Sequence, residues 1–318
     1  MASAVTVGEM AIPLPTALRA LGNGVFGLGL DVSPIQQGVI LDYRLSRALF
    51  AALAGSALAV SGAILQALLR NPLAEPYLLG ISAGASTGAV TVMVLGLGAA
   101  ALGVSGGAFV GALLALATVA LLSMGAGGSS ERVILAGVAA SQLFNAATAV
   151  VVTTFASAEQ ARGVMFWLLG SLGGVRWPDV WIAGPVLLVG CAVSLLHARV
   201  LDAFAFGEDA AAALGVSVTR VRIVLFVITA AMTATVVAIV GSIGFVGLLI
   251  PHAVRFVVGP RHARLLPVAA VAGAVFLILA DILSRVLVPQ QVLPIGVVTA
   301  LFGAPAFALL LARARRPA

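Results

Sequence analysis

Arginine is the side chain with most chemistry to offer in this 318-residue chain: there are seventeen, and not one lysine. A phosphate-binding loop of the G-x-x-x-x-G-K-[ST] type needs its lysine, so ATP hydrolysis through such a loop is excluded. A Schiff base, which needs a lysine amine, is excluded as well. If the chain works with ATP, the ATP site is on another polypeptide. The guanidinium fork instead suits carboxylates. Arg44 and Arg47 stand three apart, on one face of a helix, and Arg285 follows Asp281 by four. Arg44 and Arg47 could snorkel to lipid headgroups, and Arg285 could form a partly buried pair with Asp281.

A second set of polar groups lies in apolar sequence. Ser141, Asn145, Thr148 and Val152 recur at helical spacing, with Gln142 beside them. Polar groups avoid lipid, so this face either lines a pore or glues helices by interhelical hydrogen bonds. His197, His252 and His262 have no metal-ligand spacing; all three read as structural, with no metal held by this chain. No nucleophile–base set assembles, which argues against a membrane-embedded enzyme and leaves no catalytic residue.

The elements that carry these groups are membrane helices. Residues are 62% apolar and 9% charged, with 36 glycines and 14 prolines spread through apolar runs, a composition that suits membrane helices. Nine candidate spans fall at about 44–69, 78–100, 104–124, 133–155, 178–197, 222–240, 242–258, 265–288 and 295–312. The positive-inside rule puts the tail Arg313, Arg315 and Arg316 in the cytoplasm. Counting back from it gives eleven arginines inside and six outside. Residues 1–43 then lie outside and are too broken to span, so a first span is expected to have been lost upstream of Met1. Gly80/Gly84/Gly88, Gly103/Gly107/Gly111 and Ala51/Gly55/Ala59 each line one helix face and predict close helix packing. Cys191 is expected in the core. The scattered arginines make no nucleic-acid surface, and residues 1–10 lack the pattern of a cleavable leader.

Seven segments are more particular. In order they are Tyr43–Arg47, the two-proline turn Gln66–Pro76, Phe166–Leu172, Phe204–Gly215, Gly241–Arg255, Ala280–Arg285 and Leu293–Thr299. Together they closely resemble the permease subunits of ABC importers for ferric siderophores, haem and cobalamin, the FecCD/BtuC-like family, collinearly from about Gly8 to Arg313. The chain departs from the family in span number, nine against ten, and at Ser46, where the family commonly has proline.

The resemblance implies an all-α polytopic permease of the type II ABC importer bundle, a single domain over 1–318. It implies a cytoplasmic coupling loop at 199–221 and a periplasmic short helix and loop at 156–177. The coupling residues would be Phe206, Gly207, Glu208, Asp209, Ala212, Leu214 and Gly215; an ordinary amphipathic connector is the plain alternative. Arg44, Arg47 and Arg285 would meet acidic residues of a periplasmic binding protein, and Ser141, Gln142, Asn145 and Thr148 could line the path. The implied assembly is a homodimer in the bacterial inner membrane, C-terminus cytoplasmic, with two ATPase subunits that bind the ATP and Mg and no cofactor in this chain. Haem or a ferric siderophore is the expected cargo, cobalamin the alternative. An ion-coupled secondary transporter is the reading from another class, since such carriers use intramembrane ionisable groups and Asp281 is the one carboxylate well inside a predicted span.

Overall fold

Every backbone polar group inside a bilayer must find its partner within the protein, and a helix does this within one segment. The computed structural model describes residues 2–8, 10, 12–124, 130–204, 206–213, 215 and 217–314, and their regular structure is helical throughout. The main helices are α1 (Leu14–Phe26), α2 (Ser46–Leu68), α3 (Ile81–Leu95), α4 (Gly103–Ser123), α5 (Ser130–Phe155), α6 (Ala158–Leu168) and α7 (Trp177–Leu196). They continue as α8 (Ala198–Phe204), α9 (Glu208–Ala213), α10 (Val218–Val240), α11 (Val246–Val258), α12 (His262–Val286) and α13 (Ile295–Ala314).

Six of the described helices are long and apolar enough to cross a membrane: α2 with its extension back to Pro34, α4, α5, α7, α10 and α12. Three apolar helices are shorter, namely α3, α11 and the stretch Ile295–Leu310 of α13. The run 78–100 contracts to Ile81–Leu95 because Gly80 (φ 71°) and Gly96 (φ 69°) both adopt the left-handed conformation, which suits glycine and interrupts a helix. The run 242–258 starts its helix only at Val246, after Phe245 at φ 69°. By contrast the first run begins early: helix Pro34–Gly38 passes through a π turn, Val39–Leu45, into α2. Ser46 donates its hydroxyl to Asp42 O (2.7 Å) and Tyr43 O (3.2 Å). Helix α1, thirteen residues or ~20 Å at 1.5 Å per residue, is too short to cross ~30 Å of hydrocarbon.

Helix α2 is the hub, with Phe50, Leu58, Ile64 and Leu68 almost wholly buried. Glycine lets its neighbours reach it: a Cβ on Gly55 would strike the Gly273 carbonyl of α12, and one on Gly62 the Gly247 carbonyl of α11. Gly84 and Gly88 of α3 meet Gly111 and Gly107 of α4 in the same way, as the two glycine stripes predicted. Helix α10 joins two cores, giving Leu225, Met232 and Val236 to the one around α2 and Ala234 and Val237 to the one around α3. The peripheral helices turn Leu143 and Val150 of α5, Trp181 and Leu188 of α7, and Val271 and Leu279 of α12 outward. In a bilayer such side chains belong against lipid. Cys191 is half-buried beside the core.

Candidate functional site

Three constellations lie along the bundle, and the first is a cluster of arginines at one end of α2 and α12. Asp281, 1% exposed, accepts from Arg47 Nε at 2.7 Å and from Arg285 Nη2 at 2.9 Å. Two guanidinium groups on one buried carboxylate satisfy the lone pairs that burial strips of water. Arg285 Nη1 also donates to the carbonyls of Ala4 and Val7. Arg44 is buried and donates to the carbonyls of Val5, Thr6 and Met10. These two arginines therefore strap the N-terminal segment across the helix ends, and the Asp281 pair is what the structure shows for Arg285. Neither guanidinium points freely outward, a use the sequence does not reveal because the accepting carbonyls carry no residue signature. Nearby, Trp177 Nε1 donates to Leu41 O at 2.9 Å, and Arg176 lies 4.3 Å above the Tyr43 ring.

Deeper in the bundle, four helix ends converge. Gly241 (φ 74°) ends α10 and Gly170 (φ 75°) follows α6. Ser171 N–H donates to Val240 O at 2.8 Å, while Ile295 and Gly296 at the start of α13 donate to Gly170 O and Leu169 O, each at 3.0 Å. Tyr77 ties the turn before α3 to the same place: its hydroxyl donates to Ile243 O (2.9 Å) and accepts from Ile243 N–H (2.7 Å). Ser82 and Ser242 hydroxyls meet at 3.1 Å. The depth follows from α2, since Gly247, just past the break, packs on Leu58 and Gly62. Those residues lie eleven to fifteen positions beyond Arg47, or ~16–22 Å along the helix. Non-helical backbone at membrane depth survives only where protein buries it or a cavity meets it, and a depression of about 490 Å³ opens here, walled by Leu168, Leu169, Phe245, Val297, Ala300 and Leu301. Its wall is apolar apart from Ser242, and no titratable side chain is among its described lining residues. Gly241 and Pro294 fall between the predicted runs, but nothing in the sequence signals that these interruptions meet.

At the far end, the segment 199–221 forms two short helices joined at Gly207 (φ 105°). Leu201 and Phe204 of α8 are fully buried in the main core. Asp202 Oδ1 accepts from both the backbone N–H (2.8 Å) and Nδ1 (2.7 Å) of His262, capping the first turn of α12 from across the bundle. Arg70 brings Nη1 to 3.9 Å from where a Gly207 Cβ would sit. Phe206 is 82% exposed, Ala212 is exposed, and Gly215 (φ 81°) follows α9. Leu214 lies outside the described residues, as do the side chains of Glu208 and Asp209. The adjoining turn holds Glu75, half-buried, whose carboxyl burial pushes above its ordinary value.

The α5 stripe does not stay together. Thr148 is buried and its hydroxyl meets that of Thr87 on α3 at 2.9 Å, while Ser141 bonds back to Gly137 O at 2.8 Å. Gln142 and Asn145 face outward from the chain. The Thr87–Thr148 contact is interhelical glue, because the face spans both the α3 seam and the open side of α5. Of the histidines, His262 takes the Asp202 bond, His197 Nδ1 meets Val193 O at 2.8 Å, and His252 packs edge-on against Phe256 and Phe307.

Comparison with known proteins agrees with this arrangement. Residues 1–313 match the profile of the FecCD transport family. The chain is 42% identical over 309 residues to the cobalamin import system permease protein BtuC of Halobacterium salinarum, covering 97% of this chain and 82% of the relative. It is 40% identical to the hemin transport system permease protein HmuU of Yersinia pestis, over 86% and 83% of the two chains. With the Fe(3+) dicitrate transport system permease protein FecD of Escherichia coli the identity is 39%, over 96% and 100%. A solved chain described as of the metal-chelate ABC transporter type, in an inward-facing conformation, superposes with a TM-score of 0.83 at 33% identity, over 94% and 96% of the chains.

Proposed function

Because this chain belongs to the FecCD transport family, we propose that it is the permease subunit of a binding-protein-dependent ABC importer that carries a metal chelate inward. The expected cargo is haem or a ferric siderophore. A second cargo is favoured by one observation, the 42% identity to a cobalamin permease. Two copies of the chain would enclose the path, and the apolar depression where the helices break, with Phe245 on its wall, is the surface we assign to cargo passage. Gln142 and Asn145 on the open side of α5 would face the same path. The chain would hold no cofactor; ATP and Mg would sit on two separate cytoplasmic subunits, with the C-terminus on that side of the bacterial inner membrane.

The observation that carries the proposal is the segment 199–221. Leu201 and Phe204 root it in the core and Asp202 fixes it to α12, while Phe206 and Ala212 stay exposed. A socket for a motor must be rigid at its base and open at its tip. The ion-coupled alternative needs a carboxylate free to exchange a proton or cation, and Asp281 is held by Arg47 and Arg285. The test is co-purification with the ATPase subunit and cargo-stimulated ATP hydrolysis. Ala212→Arg and Gly215→Val are expected to abolish both while expression and dimer formation persist. Normal coupling in those variants would refute the assignment.

A further inference from the structure

The depression at the arginine end, about 410 Å³, is lined among its described residues by Arg44, Arg47, Arg176 and Arg285 and by no carboxylate. The four guanidinium groups are not equally available. Arg44 is committed to the carbonyls of Val5, Thr6 and Met10, and Arg285 to Asp281, Ala4 and Val7. Arg47 gives Nε to Asp281, and its side chain remains 15% exposed. Arg176 is different. It is exposed, its backbone N–H donates to the Asp179 carboxylate at 2.8 Å, and its Nη1 donates to Val175 O (2.8 Å) and Gly173 O (3.3 Å). The guanidinium plane is propped 4.3 Å above the half-exposed Tyr43 ring. A guanidinium resting on an aromatic face keeps edge N–H groups for a carboxylate, and the stacking and the Nη1 bonds fix its position before any partner arrives.

We propose that Arg176, propped on Tyr43, is the outward cation of this face, and that with Arg47 it receives carboxylates of the substrate-binding protein. Arg44 and Arg285 serve the site from behind, by holding the N-terminal strap. The inference rests on the importer reading above and adds a residue to it. An acidic protein surface is the occupant because the one carboxylate paired with these guanidinium groups, Asp281, engages Arg47 and Arg285 and leaves Arg176 unbalanced among the described residues, and a pre-set fork matches a carboxylate fixed on a folded domain. A lipid phosphate is the competing anion.

The test is capture of the binding protein by the detergent-purified chain assembled with its ATPase subunit. Arg176→Glu leaves the α7 cap intact, because the cap uses the backbone N–H, so the variant is expected to fold. Reversal of an interfacial charge should weaken capture roughly tenfold or more at low salt, and the deficit should shrink at about 0.5 M salt, where the screening length is a few ångströms. Arg176→Lys should fall between, and Tyr43→Ala should weaken capture without changing the charge. Arg162→Glu, the same reversal at an exposed site on α6, should bind as the wild type does. Wild-type capture by Arg176→Glu would overturn the inference and leave the importer reading standing. So would a loss confined to binding of anionic-lipid vesicles. A wild-type chain that captures no binding protein would overturn both.

Discussion

Replacing Asp281 by asparagine removes the charge that two partly buried arginines share while nearly preserving shape. Asp281 is 1% exposed and Arg285 is 7% exposed, with Arg47 only slightly more open at 15%. Removing one partner of a buried ion pair leaves an uncompensated charge and costs about 3–5 kcal/mol. Arg285 keeps its bonds to Ala4 and Val7, and Arg47 can lean toward water, so the lower end of that range, ~3 kcal/mol, is expected. Against a total stability of about 5–15 kcal/mol this is large. The lone, half-buried Cys191 offers the assay: reaction with a thiol-specific dye on heating in detergent reports opening of the core. The midpoint should fall by at least about 5 °C, and Asp281→Asn combined with Arg47→Gln should recover part of the loss, because one stranded charge is removed. An Asp281→Asn protein that reacts at the wild-type temperature would refute the claim that this carboxylate holds the cluster together.

Other outcomes follow from the packing and the turns. Gly62→Val should abolish a folded product, since even a Cβ there strikes the Gly247 backbone; normal yield and monodispersity would contradict the close α2–α11 contact. Burial raises the Glu75 carboxyl, so the folded chain binds a proton more readily than the unfolded one. Stability from this group therefore falls as pH rises from the ordinary carboxylate value through the raised folded value. Glu75→Gln should flatten that part of the pH–stability curve and be neutral or stabilising at pH 7; a steeper curve would show an unrecognised partner. Phe245→Ala should change cargo uptake while leaving ATPase assembly intact, and unchanged uptake of every cargo tried would remove the depression from the path.

Much of the bundle was legible because apolar run length and glycine spacing act locally. Gly84, Gly88, Gly107 and Gly111 lie on predicted stripes and meet each other. The shortened α3 and α11 were harder to read. Composition continues apolar through Gly80 and Phe245, and only left-handed backbone geometry marks where each helix starts. Site legibility divided along the same line. The turn at Gly207 and the stop at Gly215 could be read from residue type, whereas the fate of Arg44 could not. Its partners are backbone carbonyls about forty residues away, and a carbonyl looks the same in every sequence. Helical spacing places Thr148 in a polar stripe, but it pairs with Thr87, and periodicity within one helix cannot say which neighbour covers which part of the face.

The central claim is that this chain moves cargo only when a separate ATPase drives it through residues 199–221. Uptake into liposomes tests it most directly, with the chain alone, with the ATPase subunit, and with ATPase and binding protein together, each offered haem, a ferric siderophore or cobalamin. The account predicts no ATP hydrolysis by the chain alone and ATP-dependent uptake of one cargo class by the full set, lost in Gly215→Val. Uptake by the chain alone under a proton or sodium gradient, or ATP hydrolysis without the partner subunit, would contradict it.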